Sequence, residues 1–316
     1  MSNHTQAPET VNEHPRGADI RVTMSGEICV VIATRNRAAR LRPALERLIS
    51  LPQRPAVVVV DNDSDDETAA VAAAVSPQVT VIRADRNLGG GARTLGVRAL
   101  ETELVAFSDD DSWWAEEAFE RARALMRAHP RLGLIAARVL VGPEETLDPT
   151  CLEMAHSPLP AAPGAPGRPV LGFLACGAIV RRRAYLEVGG FEPRLGIGGE
   201  EQLIALDLAA AGWQLAYVEE IIAHHHPARG EPGASAADQA KRRRERNRTM
   251  LRNSLWTTWL RRPLLAAVTR TASLAATGVL AGDFEALIGA ARGLPWALRK
   301  RRALPPEVER AARLVR

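Results

Sequence analysis

A chain of 316 residues, 46% of them hydrophobic, has material for one large domain with an appendage or for two small ones, and disorder over most of its length is excluded. The net charge of +4 conceals an asymmetry: residues 241–316 carry 18 Lys and Arg against 5 Asp and Glu, or +13, which leaves −9 for residues 1–240. An acidic body excludes general nucleic-acid binding, whereas the basic tail calls for a partner of negative charge. Cys29, Cys151 and Cys176 form no CxxC pair, which excludes a zinc ribbon and points to a reducing, cytoplasmic compartment.

Residues 1–26 are polar and carry neither an apolar signal core nor an Arg-rich amphipathic pattern, so a disordered lead-in is expected there. The run ICVVIA at 28–33 is unbroken and apolar, the pattern of a strand buried on both faces of a parallel sheet, and it stops at Thr34, Arg35, Asn36 and Arg37. Leu41, Ala44, Leu45, Leu48 and Ile49 then fall on one face of a helix, with Pro52 just past its end. A second strand over 57–60 ends in Asp61, Asn62 and Asp63. Ser64 and Glu67 stand in capping-box spacing, so the next helix is expected to begin there.

A third strand over 79–82 precedes the segment NLGGGAR at 87–93. Three successive glycines let backbone approach a ligand closely, but their spacing fits no phosphate-loop fingerprint, and taken alone they read more simply as a tight turn. A fourth strand over 104–107 leads to Asp109, Asp110 and Asp111. Adjacent carboxylates repel and are best tolerated around a cation or hydrogen-bond donors. On extended backbone Asp109 and Asp111 point the same way, an arrangement suited to a hard divalent ion and, through it, phosphate oxygens. A solvated acidic turn is the alternative for the triplet by itself. Strands near 30, 58, 81 and 106 with helical patterns between them describe βαβ units in a mostly parallel sheet. Ligands bind such sheets beyond the carboxyl ends of the strands, where all four loops are polar or glycine-rich.

Trp113 and Trp114 either stack on a sugar or base or anchor a helix running to about His129. A strand is expected over 132–141, a Pro- and Gly-rich specificity loop over 142–169, and a strand over 170–181 with Arg181, Arg182 and Arg183 at its end, one of them within reach of phosphate. Flexible glycines at 196, 198 and 199 lead into Glu200 and Glu201 at a helix start, where acids serve either chemistry or the helix dipole. The last strand, over 215–222, is followed by His224, His225 and His226, one of them a candidate metal ligand.

In the tail, a basic run from Lys241 opens a helix with Met250, Leu251, Leu255, Trp256 and Trp259, and a second apolar stretch over 264–280 is broken by Arg270, which argues against a membrane span. Two readings stand: interfacial helices on an anionic membrane, or a bundle packed on the body with an exposed basic face.

Taken together, the strand and T-x-N-R at 28–37, VVVVDND at 57–63, NLGGGAR at 87–93, FSDDD at 107–111, EVGGFE at 187–192, GEEQLIALDLAAAGW at 199–213 and the closing His224 resemble the family 2 glycosyltransferases of the GT-A fold over residues 27–226. The resemblance implies a Rossmann-like α/β catalytic domain over 27–230 with flanking helices, and the basic helical region over 231–316 is read from the tail's own residues. It places Thr34, Asn36, Asp61, Asn87, Gly89, Arg93, Asp109 and Asp110 against a nucleotide-sugar donor, a UDP- or dTDP-sugar in the first place. It assigns Asp111, Asp109 and His224 to Mn2+ or Mg2+. Glu201 becomes the general base for an acceptor hydroxyl on a glycan, lipid-linked or small-molecule acceptor, with inversion at the anomeric carbon. Glu201 stands where the family usually has Asp, which makes Glu200 a competitor for that role, and Leu203 and Arg35 depart from the family pattern as well. A nucleotidyltransferase is disfavoured because no G-x-G-T-R-type loop follows the first strand, and a haloacid-dehalogenase-type phosphatase because the first strand ends without acids. A catalytically silent scaffold that binds nucleotide sugar or membrane is the alternative reading.

Overall fold

The computed structural model describes residues 27–227 and 235–315, so the expected lead-in over 1–26 lies outside the described residues. Its first half is built as the apolar runs dictate. Strands β1 (Ile28–Thr34), β2 (Ala56–Asp61), β3 (Val79–Arg83) and β4 (Leu104–Ser108) are parallel, in the order β3-β2-β1-β4. Helices α1 (Ala38–Ile49), α2 (Thr68–Ala73) and α3 (Ala92–Ala99) connect them. Every residue of β2 and β4 is buried, which is why these strands lack the polar alternation of a solvent-facing sheet. Strand order reverses direction between β1 and β4, so the loops leaving these two strands flank the crevice where such sheets bind ligands.

The second half is mixed. β5 (Ser112–Trp114), α4 (Ala118–Ala128) and β6 (Leu132–Val141) are followed by β7 (Thr146–Leu147), α5 (Pro149–Ala155) and β8 (Arg168–Pro169), so the expected bare loop over 142–169 contains a capped helix and two short strands. β9 (Ala178–Arg181) lies antiparallel between β4 and β6, and β10 (Gln214–His225) runs parallel to β6 and antiparallel to β5. The sheet order is β3-β2-β1-β4-β9-β6-β10-β5, with β7 on β6 and β8 on β10.

Three local expectations are corrected. The strand expected over 170–181 forms only from Ala178, because residues Ala175–Gly177 make a 3-10 turn pressed so closely on β6 that a side chain at Gly177 would meet Val139 at 2.5 Å. Arg181 does not reach toward the crevice: it is buried, pairs with Glu103 and donates to the carbonyls of Leu132 (3.1 Å) and Met126 (2.8 Å). Arg182 and Arg183 donate to the carbonyls of Val97 and Pro130. Helix α2 starts at Thr68 rather than Ser64. Asp66 accepts from the Thr68 backbone at 3.0 Å, while the Ser64 hydroxyl accepts from Asn36 N at 3.0 Å and ties the first loop to the second.

After β9 come α6 (Arg182–Glu187) and α7 (Glu201–Ala210), and the chain closes with α8 (Ala236–Arg261), α9 (Leu264–Leu280), α10 (Phe284–Arg299) and α11 (Pro306–Leu314). α8 packs on α7 and α10, and Leu195, Leu203, Leu260, Trp296 and Ala297 form a small second core between the body and the tail. Arg261 pairs with Asp207 of α7, and Arg262 with Glu309 of α11 at 2.9 Å. No helix among the described residues is long and apolar enough to cross a membrane.

Candidate active site

The site gathers where β1 and β4 end. The Thr34 hydroxyl donates to Asp110 across the crevice at 2.7 Å, and Arg37 lies 3.6 Å from the same carboxylate. Burial, and then the charge of Asp111, push the Asp110 carboxyl up to about 6 against the opposing hydrogen bond from Thr34. Its neighbours turn elsewhere. Asp109 pairs with the buried Arg93 in the first turn of α3, and Asp111 lies 3.3 Å from His225 Nε2. Burial works against the charged form of His225, yet its hydrogen bond to Asp111 and that residue's charge outweigh it and raise the imidazole above its ordinary value. Ligating atoms of Asp109, Cys176 and His225 all lie within 4.8 Å of one another.

Strand parity separates the adjacent histidines. Side chains alternate along β10, so His224 and His225 face opposite ways. His224 stacks on Trp113 with centroids 5.5 Å apart and places Nδ1 2.9 Å from Glu145, while His225 turns to Asp111. His224, the residue first singled out as a ligand, therefore stands beside the wall of the site rather than at its acids. Trp113 is itself packed between Arg47, 3.7 Å from the ring centroid, and the imidazoles of His224 and His226. Trp114 is buried against Phe119, as a strut of the fold, whereas Trp113 is half-buried.

On the other side of β1, polar residues are spent on loop geometry. Asp61 is fully buried and accepts from Arg83 Nε at 2.8 Å and Ser64 N at 3.2 Å. Asn36 adopts a positive φ of 53° and accepts from Asp65 N at 2.9 Å. Asn62, named in the sequence only as part of the loop after the second strand, joins Asn87 Oδ1 (3.0 Å), Leu88 N (2.7 Å) and Gly89 O (3.2 Å).

The glycine run solves a packing problem. A side chain at Gly89 would meet the Gly196 Cα at 2.5 Å, one at Gly91 would meet Pro193 at 2.8 Å, and Gly90 N donates to Gly196 O at 2.9 Å. What approaches this backbone closely is thus the 193–200 turn, and it carries the two glutamates. Glu200 is buried and its carboxylate accepts from Gly198 N. Glu201 opens α7 half-buried, and its carboxyl is pushed up to about 8, by burial first and then by the charge of Glu200. Arg93 stands between the two groups of acids, under the charges of Asp109, Glu200 and Glu201, with its guanidinium carbon 5.6 Å from the Phe191 ring centroid.

The family described as Glycosyl transferase family 2 matches residues 29–189, just over half of the sequence, and the chain belongs to that family. An uncharacterized glycosyltransferase of Haemophilus influenzae is 27% identical over 109 residues, covering 34% of this chain and 37% of that protein, so the match spans little more than a third of the relative's length. Among solved structures, the mannosyltransferase PcManGT of Pyrobaculum calidifontis in complex with GDP-Man and Mn2+ aligns with a TM-score of 0.56 at 18% identity, over 95% of this chain and 88% of that one. S. aureus TarS 1-349 in complex with UDP-GlcNAc aligns with a TM-score of 0.54 at 16% identity, over 74% and 66%. At these identities the likeness is one of fold, and the fold is GT-A, with C-terminal helices appended.

Proposed function

We propose that the protein is an inverting glycosyltransferase that moves a sugar from a UDP- or dTDP-sugar to an acceptor hydroxyl. The observation that carries this reading is the convergence of two acid groups on Arg93: Asp109 with Asp111 and His225 on one side, Glu200 and Glu201 on the other. In the first group the Asp109 carboxylate and the His225 imidazole lie within 4.8 Å of each other and offer ligands to a hard divalent cation, Mn2+ or Mg2+, with the Asp111 carboxylate 3.3 Å from that imidazole. Of the histidines, His225 takes the ligand role. Burial, and then the charge of Asp109, raise the Cys176 thiol well above its ordinary value, and a hard cation prefers carboxylate oxygen and imidazole to this soft sulfur. When bound, the cation supplies Lewis-acid stabilisation of the departing diphosphate.

The chain's own residues do the rest. Thr34, Asn36, Asp61 and Asn87 shape the base and ribose side, and Asp110 presents its carboxylate to donor hydroxyls. Glu201 accepts the proton of the acceptor hydroxyl. The acceptor oxygen then bonds to the anomeric carbon as the bond to the diphosphate oxygen breaks on the opposite face. A carboxyl raised toward 8 is a stronger base than an ordinary one and lies near the operating pH, where a general base is most effective.

A panel of UDP-, dTDP- and GDP-sugars, each with and without Mn2+, tests this by thermal shift. A ligand at about 100 times its dissociation constant adds roughly 2.7 kcal/mol. In a chain of this size that is a rise of about 4 °C with the right donor and Mn2+. No shift with any member would sink the reading.

The tail points to an acceptor at a membrane. Leu264, Leu265, Val268, Val279 and Leu280 of α9 and Phe284 and Ile288 of α10 are exposed, in a region of charge +13, a composition suited to lying on the anionic inner face of the cell membrane. The full chain is expected to sediment with phosphatidylglycerol vesicles and not with phosphatidylcholine vesicles. Leu265→Glu with Leu280→Glu should weaken that binding by about tenfold or more, since each buried Leu contributes about 1.5–3 kcal/mol. Equal binding by the double variant would remove α9 from the contact.

A further inference from the structure

The glutamates hang from a turn that has little reason to hold still. Residues 196–199 contain three glycines, and Gly196, Gly198 and Gly199 all adopt positive φ, of 73°, 120° and 82°. Such a segment has much conformational freedom to lose and no side-chain packing of its own to offset the loss. On one side it is held by the Gly90 N to Gly196 O bond. On the other it is held by a residue of the tail. Asn253, in the middle of α8 and fully buried, donates from Nδ2 to Leu195 O and to Gly198 O, each at 2.8 Å. Arg252 donates to the Asn253 side-chain oxygen from Nε at 3.2 Å and from Nη2 at 3.0 Å, and also to Leu195 O at 2.9 Å. The guanidinium thereby fixes which way the amide faces, with both amide hydrogens toward the turn, and is itself seated 4.6 Å from the Trp256 ring centroid. With its carbonyls anchored on either side, the turn aims Gly198 N at the Glu200 carboxylate. That bond commits Glu200 to the turn, whereas the backbone hydrogen bond to the Glu201 carboxylate comes from Glu201 itself.

We propose that Asn253 is a positioning residue: through Leu195 O and Gly198 O it sets the Glu200–Glu201 pair, so that α8 belongs to the catalytic unit. The inference rests on the glycosyltransferase reading for what the pair does, and on hydrogen-bond geometry alone for what Asn253 does. Arg252 shares Leu195 O with it, but the Gly198 carbonyl takes its side-chain hydrogen bond from Asn253.

Asn253→Ala in the full chain tests it, with Arg252→Ala as a second variant that loosens the amide from a half-buried position and so spares the core. Thr257→Val is the control: it alters a buried side chain one turn along α8 whose hydroxyl has no hydrogen-bond partner among the described residues. By hydrogen exchange, the amides of residues 196–201 should exchange about 10–100-fold faster in Asn253→Ala, with β1 and β4 unchanged and the control like the wild type. With the nucleotide sugar that stabilises the wild type and Mn2+, release of nucleoside diphosphate should lose about 10–100-fold in kcat at unchanged donor KM, and Arg252→Ala should move the same way by less. Wild-type exchange in the turn, or a loosened turn with unchanged kcat, would overturn the inference. So would a loss spread over KM and the exchange of β1 and β4, the mark of a merely structural residue. Absence of any donor response in the wild type would instead overturn the functional reading, since the exchange measurement needs no substrate.

Discussion

Glu201→Gln is expected to bind donor as the wild type does and to lose transfer by about 10²–10⁴-fold, the usual contribution of a positioned base. Gln keeps the size and the hydrogen-bonding shape of the side chain at the start of α7 and removes only its capacity to take a proton. A loss confined to kcat therefore isolates that step. The pH profile should agree. With the carboxyl raised to about 8, wild-type kcat/KM should climb with pH from 6 through about 8, and this rise should vanish in the variant.

Stability moves the opposite way from activity. Because the folded-state value lies above the ordinary 4.5, the native protein holds this proton more tightly than the unfolded chain. The carboxyl costs nothing below pH about 4.5, costs progressively more as pH rises toward 8, and levels off above that. Glu201→Gln should therefore match the wild type in unfolding free energy at pH 4 and exceed it at pH 8 by about 1–3 kcal/mol. A variant that gains stability and loses transfer marks a residue kept for chemistry at the expense of the fold. Full activity in Glu201→Gln would move the base elsewhere, with Glu200 the next residue to test.

Asp111→Ala is expected to abolish the Mn2+-dependent part of donor binding, so that the thermal shift with and without the ion becomes the same. The carboxylate is one of three in a row, and its charge raises the Asp110 carboxyl while its hydrogen bond raises His225. Removing it relieves the repulsion on Asp110 and forfeits the hydrogen bond to His225, effects of opposite sign, which should leave the protein without ligand about as stable as the wild type and shift the His225 imidazole titration downward by NMR. The test thus separates lost binding from lost folding. An undiminished Mn2+-dependent shift in Asp111→Ala would remove that residue from the cation seat and leave Asp109 and His225 to carry it.

Periodicity and runs of one residue type were enough to read β1 to β4 and the parallel half of the sheet, because a strand buried on both faces must be apolar throughout and a helix covering it must be apolar on one side. The same local reading failed at Ser64 and over 170–177. There the deciding partners, Asn36 and Val139, are far away in sequence and enter only when the chain has folded.

The acids could be found in the sequence because adjacent like charges at a strand end need a reason. What each acid faces could not. Asp109, Asp110 and Asp111 go to α3, to the loop after β1 and to β10, three elements that only the sheet order brings together. Which histidine faces Asp111 turns on strand parity, which in a run of three histidines depends on a register the sequence does not display. The glycines at 89–91 read equally well as a ligand loop until the 193–200 turn is seen lying against them. Asn253 had no signal at all: a single Asn in a basic helix is ordinary, and it acquires its role only because α8 returns from the far end of the chain to lie over the turn that carries the glutamates. Apolar pattern and charge are properties of neighbours along the chain and are legible there, whereas hydrogen-bond partners are neighbours in space, and closure of the fold alone chooses them.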